Sequence, residues 1–374
     1  MKKGLYIHIP FCVTKCKYCS FNSYAGKENL HTDYLLALKK EICLKSDKSF
    51  VLDTIYIGGG TPSILKGQDI LSILETVRDN FMVDEDAEIS MEANPNTITK
   101  EKAEIWKKAE INRLSIGLQS ANDKILKLIG RSHTLKDYIN AIKVLREAGF
   151  DNINTDLMIA LPGQKIKDIK RSIKLVTKQN CTHISCYSLI LEEGTPLYEL
   201  VENKKIKLPN EDCAVKMYAK AVKILKKYGF NRYEVSNFAK SGYECKHNVN
   251  CWNRHEYLGL GAGANGFVNG FRYGNVCDID AYIKSVKNGK IKEEFREKIS
   301  NIDAFEETLM LGLRMEKGVE IRTLNELIKK DFIRSRKEKL DELSSLELIE
   351  YNEEQLRVTD KGFYVLNEII LDLI

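Results

Sequence analysis

The chain has 374 residues, 43% of them hydrophobic, with 58 basic and 53 acidic side chains interspersed to a net charge of +5. That length can bury a large core, which excludes a disordered tail or a mini-protein, and the balanced charge leaves no electrostatic footprint for nucleic acid. No stretch approaches the roughly 18 uncharged apolar residues of a membrane span, and "MKKGLYIHIP" reaches proline before any signal-like apolar run, so a cytoplasmic protein is expected.

The first predicted strand, "GLYIHIP" (4–10), runs directly into "FCVTKCKYCSF", which places Cys12, Cys16 and Cys19 in one loop. In a reducing compartment, clustered thiols bind metal or do redox chemistry more often than they form disulfides. A cubane iron–sulfur cluster normally takes four cysteines, one per iron, so three leave one iron open for a ligand. A zinc site of Cys₃His type, with His8 as fourth ligand, is the alternative on spacing alone. Further strands are predicted at 53–59, 88–94, 113–119, 152–160 and 183–189. Amphipathic helical stretches follow: "TDYLLALKKEICLK", "GQDILSILETVRDNF", "TKEKAEIWKKA", "LKDYINAIKVLREAG" and "KIKDIKRSIKLVTKQ". Six strand-then-helix units in series specify an α/β fold: an incomplete, open (β/α)6 barrel with its functional residues at the strand C-termini.

One more helix and strand come next, and the pattern then breaks into a Gly-rich segment over 242–275. Its "GAGANG" satisfies GxGxxG, but with no clear strand before it and the hairpin-like "FVNGFRYGN" after it, it reads as a tight turn rather than a dinucleotide site. Likewise "YIGGGTPS" lacks the Lys-Ser/Thr ending of a phosphate loop; its glycines let backbone approach a ligand closely. From about 290 three helices, a hairpin and a last helix suggest a small winged-helix-like α+β module, whose mixed charge favours a structural or docking role over DNA binding. The organisation expected is therefore a barrel over 1–240, a connecting segment over 241–290 and a C-terminal domain over 291–374. Cys43, Cys181, Cys186, Cys213 and Cys277 read as buried small hydrophobes.

"CVTKCKYC", with Tyr18 just before the third cysteine, resembles the signature of the radical S-adenosylmethionine (radical SAM) superfamily. "YIHIPFC", "YIGGGTPS", "SMEANP", "IGLQS", "GRSHT", "TDLMIALPGQ", "RYEVSNFA" and "FEETLMLGLR" together resemble its branch of oxygen-independent coproporphyrinogen III oxidases and HemW-type heme chaperones. The resemblance implies a [4Fe-4S] cluster on Cys12, Cys16 and Cys19, with S-adenosylmethionine at the open iron. It also implies cofactor contacts from Tyr6, Tyr18, Gly59, Gly60, Thr61, Glu92, Gln119, Arg131 and Asp156, with Arg131 on the methionine carboxylate. Two places favour the chaperone over the oxidase. Phe21 stands where the oxidase carries a further cysteine, and "HNVNCW" resembles the chaperone segment HNxxYW with Cys251 in the tyrosine's place.

By resemblance His247 is the candidate heme ligand, with Trp252 available to pack on the macrocycle and Cys245 or Cys251 as alternative thiolates. The implied partners are heme or a porphyrinogen, an apo-hemoprotein acceptor of the respiratory chain, a flavodoxin-like electron donor, a second copy of the chain and a membrane surface. Radical decarboxylation of coproporphyrinogen III is the competing function.

Overall fold

In the computed structural model, residues 2–374 are described. The chain opens with strand β1 (Lys2–Ile9), then the cysteine loop, flanked by the two-residue strands β2 (Phe11–Cys12) and β3 (Tyr24–Ala25), which pair in parallel. Helix α1 (His31–Leu44) leads to β4 (Val51–Gly59), α2 (Gly67–Asn80), β5 (Met82–Ala93), α3 (Lys100–Lys108) and β6 (Arg113–Gln119). Next come α4 (Asp123–Leu128), α5 (Leu135–Glu147), β7 (Asn152–Ile159), α6 (Ile166–Lys178) and β8 (His183–Ser188). Helix starts are set locally: Thr134 and Asp137 form a reciprocal capping box at α5, and Thr99 caps α3. The six parallel strands lie in the order β1-β4-β5-β6-β7-β8, so the six strand–helix units are present as expected.

Beyond β8 come α7 (Pro196–Glu202) and α8 (Glu211–Lys227). The single strand expected after α8 is a hairpin, β9 (Asn231–Glu234) and β10 (Asn237–Ala239), whose second strand pairs antiparallel to β8. A short helix, α9 (Lys246–Trp252), then precedes β11 (Tyr257–Leu260), which pairs parallel to β1. A strand therefore does precede "GAGANG", contrary to expectation. The chain nonetheless continues as a hairpin, β12 (Asn265–Val268) and β13 (Phe271–Asn275), and no dinucleotide helix opens there. Gly259 is required at this junction because a Cβ would fall 1.9 Å from the Asn265 carbonyl oxygen. After α10 (Ile279–Lys287), β14 (Glu293–Lys298) forms the outer edge; its "EEFREK" side chains are mostly exposed and charged, which discourages edge-to-edge pairing. The result is one open, twelve-stranded sheet with free edges at β14 and β9.

The C-terminal module holds α11 (Asn301–Gly312), β15 (Val319–Glu320), α12 (Ile321–Ile328), α13 (Phe332–Ser335), α14 (Lys337–Ser345), β16 (Ile349–Tyr351), β17 (Gln355–Val358) and α15 (Leu366–Leu373). It has its own core, around Leu309, Leu324, Phe332, Leu340 and Leu356. Helix α11 starts beside β14 and ends where Met315 bridges Glu234 of β9, so it spans the gap between the two free edges. Glu307 on α11 pairs with Arg254 and Arg272, and Arg232 on β9 pairs with Glu316 and Asp360.

The parallel strands bury an unusual interior. Leu5, Ile7, Ile55, Ile57, Ile89, Met91, Leu114, Ile116, Ile153 and Ile184 belong to the apolar core packed under the helices. The alternate residues are largely polar: Thr54 and Tyr56; Glu88, Ser90 and Glu92; Arg113 and Ser115; Asn154 and Asp156; His183 and Ser185. Since side chains alternate across a strand, these face the barrel axis, where (β/α) barrels more often stack Val, Ile and Leu. Of the cysteines expected to be small core residues, Cys181 and Cys186 are buried, whereas Cys43 is exposed and Cys213 and Cys277 are half-buried.

Candidate functional site

The cysteine loop is tied down at several points. Tyr24 N donates to Pro10 O (2.7 Å), Lys17 N to Ile129 O (3.0 Å) and Leu197 N to Lys17 O (2.8 Å). Asn22 Nδ2 reaches Ala262 O and Cys277 O, and the Tyr18 ring packs on Ile125, Ile129, Met158 and Leu161. So held, Cys12, Cys16 and Cys19 are free, half-buried thiols on the rim of one cavity of about 310 Å³. Thr61 Oγ1 donates to Cys12 Sγ and Arg131 Nη1 to Cys16 Sγ, both at 3.4 Å.

His8 is not a fourth ligand. Its Nε2 donates to Asn22 O (2.8 Å), which leaves Nδ1 to accept from the Tyr6 hydroxyl (2.9 Å), so both ring nitrogens are engaged. Among the described residues no three His, Cys, Asp or Glu side chains converge on a single-ion site.

The "IGGGT" turn closes the cavity's near wall. Gly60 N donates to Ile9 O (2.8 Å) and Thr61 N to Phe11 O (2.7 Å), and a Cβ on Gly60 would lie 2.6 Å from Phe11 O. Gly59 adopts φ +114°, with His8 filling the space a side chain would need. Across the opening, Glu92 accepts from the Tyr56 hydroxyl (3.0 Å) and Gly59 N (3.1 Å). Burial, and then the neighbouring Asp156, push its carboxyl up to about 7 against those two hydrogen bonds. Asp156 is likewise raised by burial, while accepting from Asn154 and Ser115. Gln119 ends β6 at φ +65° and accepts from the Tyr187 hydroxyl; Arg131 donates to Gly117 O (2.8 Å) and Asn94.

Tyr18, Gly59, Gly60, Thr61, Glu92, Gln119, Arg131 and Asp156 therefore all line the cysteine cavity. Tyr6 does not: it opens onto a second cavity of about 680 Å³ that shares Tyr56, Gly59 and Glu92 with the first.

The second cavity contains His247, which is only 5% exposed. Its Nδ1 shares a hydrogen bond with Thr54 Oγ1 (3.0 Å), and Nε2 has no hydrogen-bond partner among the described residues. Its ring stacks on Tyr56 (centroids 5.2 Å apart, planes at 27°) and meets Tyr257 edge-on. Burial lowers its pKa to about 4, so the ring is neutral at pH 7, and with Nδ1 engaged by Thr54 the nitrogen left for a ligand is Nε2. Glu88 fixes the start of α9 by accepting from the backbone N–H groups of Lys246 and His247. Cys251 also lines this cavity. Cys245 does not: it is buried and bonded to Glu88, which removes it as an alternative ligand, and Trp252 is half-buried outside the lining. Tyr257 lines the same cavity.

The chain thus combines a three-cysteine loop after the first strand, a glycine-lined opening at the second, and carboxylate, amide and guanidinium groups on successive strand ends. That is the architecture of a radical SAM protein: the Radical SAM superfamily model matches residues 6–176, and the HemN C-terminal domain model matches residues 299–365. The chain is 36% identical to the heme chaperone HemW of Lactococcus lactis over 365 residues, covering 97% of this chain and 95% of the relative. It is 35% identical to HemW of Bacillus subtilis over 370 residues, 98% of each. By these matches the chain belongs to the heme chaperone HemW family. The solved coproporphyrinogen III oxidase HemN of Escherichia coli, a radical SAM enzyme, shares the fold with a TM-score of 0.86 at 23% identity, over 100% of this chain and 90% of that one.

Several cavity residues were missed from the sequence, namely Tyr56, Asn94, Arg113, Ser115, Gly117, Asn154, Ser185, Tyr187 and Asn237. The signal available was the period-two placing of polar residues in "RLSIGLQ", "EISMEAN" and "HISCYS".

Proposed function

We propose that the chain is a heme chaperone that holds heme in the second cavity, with His247 Nε2 as the iron ligand, and delivers it to an apo-hemoprotein. The observation that carries this reading is a buried, neutral histidine with an unengaged nitrogen, in a cavity walled by Tyr6, Tyr56 and Tyr257.

Cys12, Cys16 and Cys19 hold a [4Fe-4S] cluster in this reading, and S-adenosylmethionine lies between the glycine turn and the strand ends. When bound, the cluster supplies an open iron for the cofactor and a site for one-electron reduction. The chain's own groups do the rest. Gly60 and Thr61 present backbone where a side chain would clash, and Arg131 holds a cation against Cys16 and the cofactor's carboxylate. Glu92 and Asp156 accept from the amino and hydroxyl groups of the cofactor, which return to the carboxylates the hydrogen bonds that burial denies them. Phe21, 68% exposed at the rim, leaves no further thiol where the oxidase has one. Ten free thiols fit a cytoplasmic setting. A respiratory-chain acceptor, a flavodoxin-like electron donor, a second copy of the chain and a membrane surface remain the partners this reading assigns.

The test is an anaerobic absorbance titration of heme into the reconstituted protein beside His247→Ala. Saturable binding that weakens at least tenfold in the variant is expected. Absence of binding, together with conversion of coproporphyrinogen propionates to vinyl groups, would replace this reading with the decarboxylase one.

A further inference from the structure

Beneath the strand ends, the cysteine cavity continues down the barrel axis to Arg113, the first residue of β6. Gln119 at the rim is six positions along the strand from Arg113, roughly 20 Å, and Arg113 lies two positions, or roughly 7 Å, deeper than Ser115, which pairs with Glu92. The floor is thus set apart from the ring of residues assigned to the cofactor.

The side chain of Arg113 is 1% exposed, yet it is poorly satisfied. Its Nη1 donates to Ser90 Oγ at a long 3.5 Å, Nε has no partner, and among the described residues it forms no ion pair. Glu88, the nearest strand neighbour of opposite charge, is fully occupied: its two oxygens accept from Ser90, Cys245, Lys246 and His247. Around the same shaft, Asn154 donates to Ser115 and Asp156 and accepts from His183 and Ser185. That network leaves one other opening, since Asn237 Oδ1 is buried without a partner and lines the same cavity. A buried guanidinium left this way is costly unless something completes it, and a buried acceptor lining the same cavity needs a donor. The charge of Glu88 favours the cation from a distance, but with its oxygens taken by other donors it gives the guanidinium no hydrogen bond.

We propose that the barrel floor is a second ligand site for a small carboxylate carrying a nearby hydrogen-bond donor, with Arg113 gripping the carboxylate and Asn237 Oδ1 accepting from the donor. A planar guanidinium matches a carboxylate with two parallel hydrogen bonds, which a chloride ion or a neutral amide cannot use in the same way. The carboxylate comes either from a free hydroxy or amino acid or from a carboxylate side chain of a tetrapyrrole; the chemistry at Arg113 is the same. This site stands whether or not His247 binds heme.

The experiment is carbon NMR of carboxyl-labelled lactate titrated into the cluster-reconstituted protein, with lactamide as the neutral control. Saturable binding of lactate but not lactamide is expected, weakened by about tenfold or more in Arg113→Met, a change of similar volume, with iron and sulfide content unchanged. Asn237→Asp provides a second variant should the first fail to fold: a new carboxylate at the floor abolishes lactate binding. Heme added to the lactate complex separates the sources. Displacement by heme but not by its dimethyl ester identifies the tetrapyrrole carboxylate, and no displacement identifies the free acid; both uphold the site. No saturable lactate binding, or equal binding in the parent and in whichever variant folds, overturns it.

Discussion

The two cavities share a wall at Tyr56, Gly59 and Glu92 but are assembled in different ways. The cysteine cavity draws on the ends of the parallel strands and the loops that connect them to the helix layer. The histidine cavity takes its walls from β1, β4, β11 and the cysteine loop, but its histidine comes from one short helix, α9, inserted after the barrel strands and pinned through Glu88 and Thr54. The cysteine cavity is spread over many strand ends, whereas the histidine of the second cavity is presented by a seven-residue helix held by Glu88, Thr54 and the Asn250–Asp53 hydrogen bond against walls that the strands supply. The residues can therefore be separated by mutation.

The largest effect expected is from Cys16→Ala. Removing one of three thiolates should bring iron and sulfide content to background, while heme affinity stays within about threefold. A parallel fall in heme affinity would show that the two cavities are one functional unit. Next is Gly60→Ala, whose Cβ would press on the carbonyls of Phe11 and Ile9, both backbone atoms that cannot rotate away. A loss of about 1–3 kcal/mol in urea unfolding is expected, with weaker S-adenosylmethionine binding and an unchanged heme titration.

The cavities should also respond to pH with opposite sign. Glu92 is raised from 4.5 to about 7, so the folded protein holds this proton more tightly than the unfolded chain; its contribution is complete below pH 4.5 and is lost as pH rises through 7. His247 is lowered from 6.5 to about 4, so its contribution is present above pH 6.5 and is lost as pH falls through 4. Urea midpoints measured from about pH 4 to 8 should therefore flatten at the alkaline end in Glu92→Gln and at the acid end in His247→Asn. The smallest effect is assigned to Cys251→Ser: less than about a threefold change in heme affinity with the same absorption spectrum, because the imidazole is the ligand. A marked spectral change would make the thiolate the ligand instead.

The strand–helix series was readable because each parallel strand buries one apolar face under helices, and the cysteine loop was readable because its spacing is local. What escaped was of two kinds. β11 is four residues, "YLGL", containing a glycine required by the Asn265 carbonyl, and it joins the barrel sheet by pairing with β1 at the other end of the barrel sequence. Nothing within a short window signals that partner. Arg113, Ser115, Asn154 and Asn237 escaped because an isolated polar residue in a strand reads as solvent-facing; here the inward face of the barrel is the polar one, so the usual sense of the alternation is inverted. His247 was found by motif, but its contact with Thr54 and the burial of Cys245 arise from packing between distant segments.

The pairing of β1 with β11, which sets Tyr6 against Gly259, has a consequence for biosynthesis. When β1 leaves the ribosome it can pair with β4 soon afterwards, but its other edge must wait for about 250 more residues, roughly ten to fifty seconds at ordinary elongation rates. Throughout that interval a strand carrying Leu5 and Ile7 offers unpaired backbone donors and acceptors to any neighbour. A nascent chain halted before residue 257 should therefore be far more prone to aggregation than one halted after residue 275.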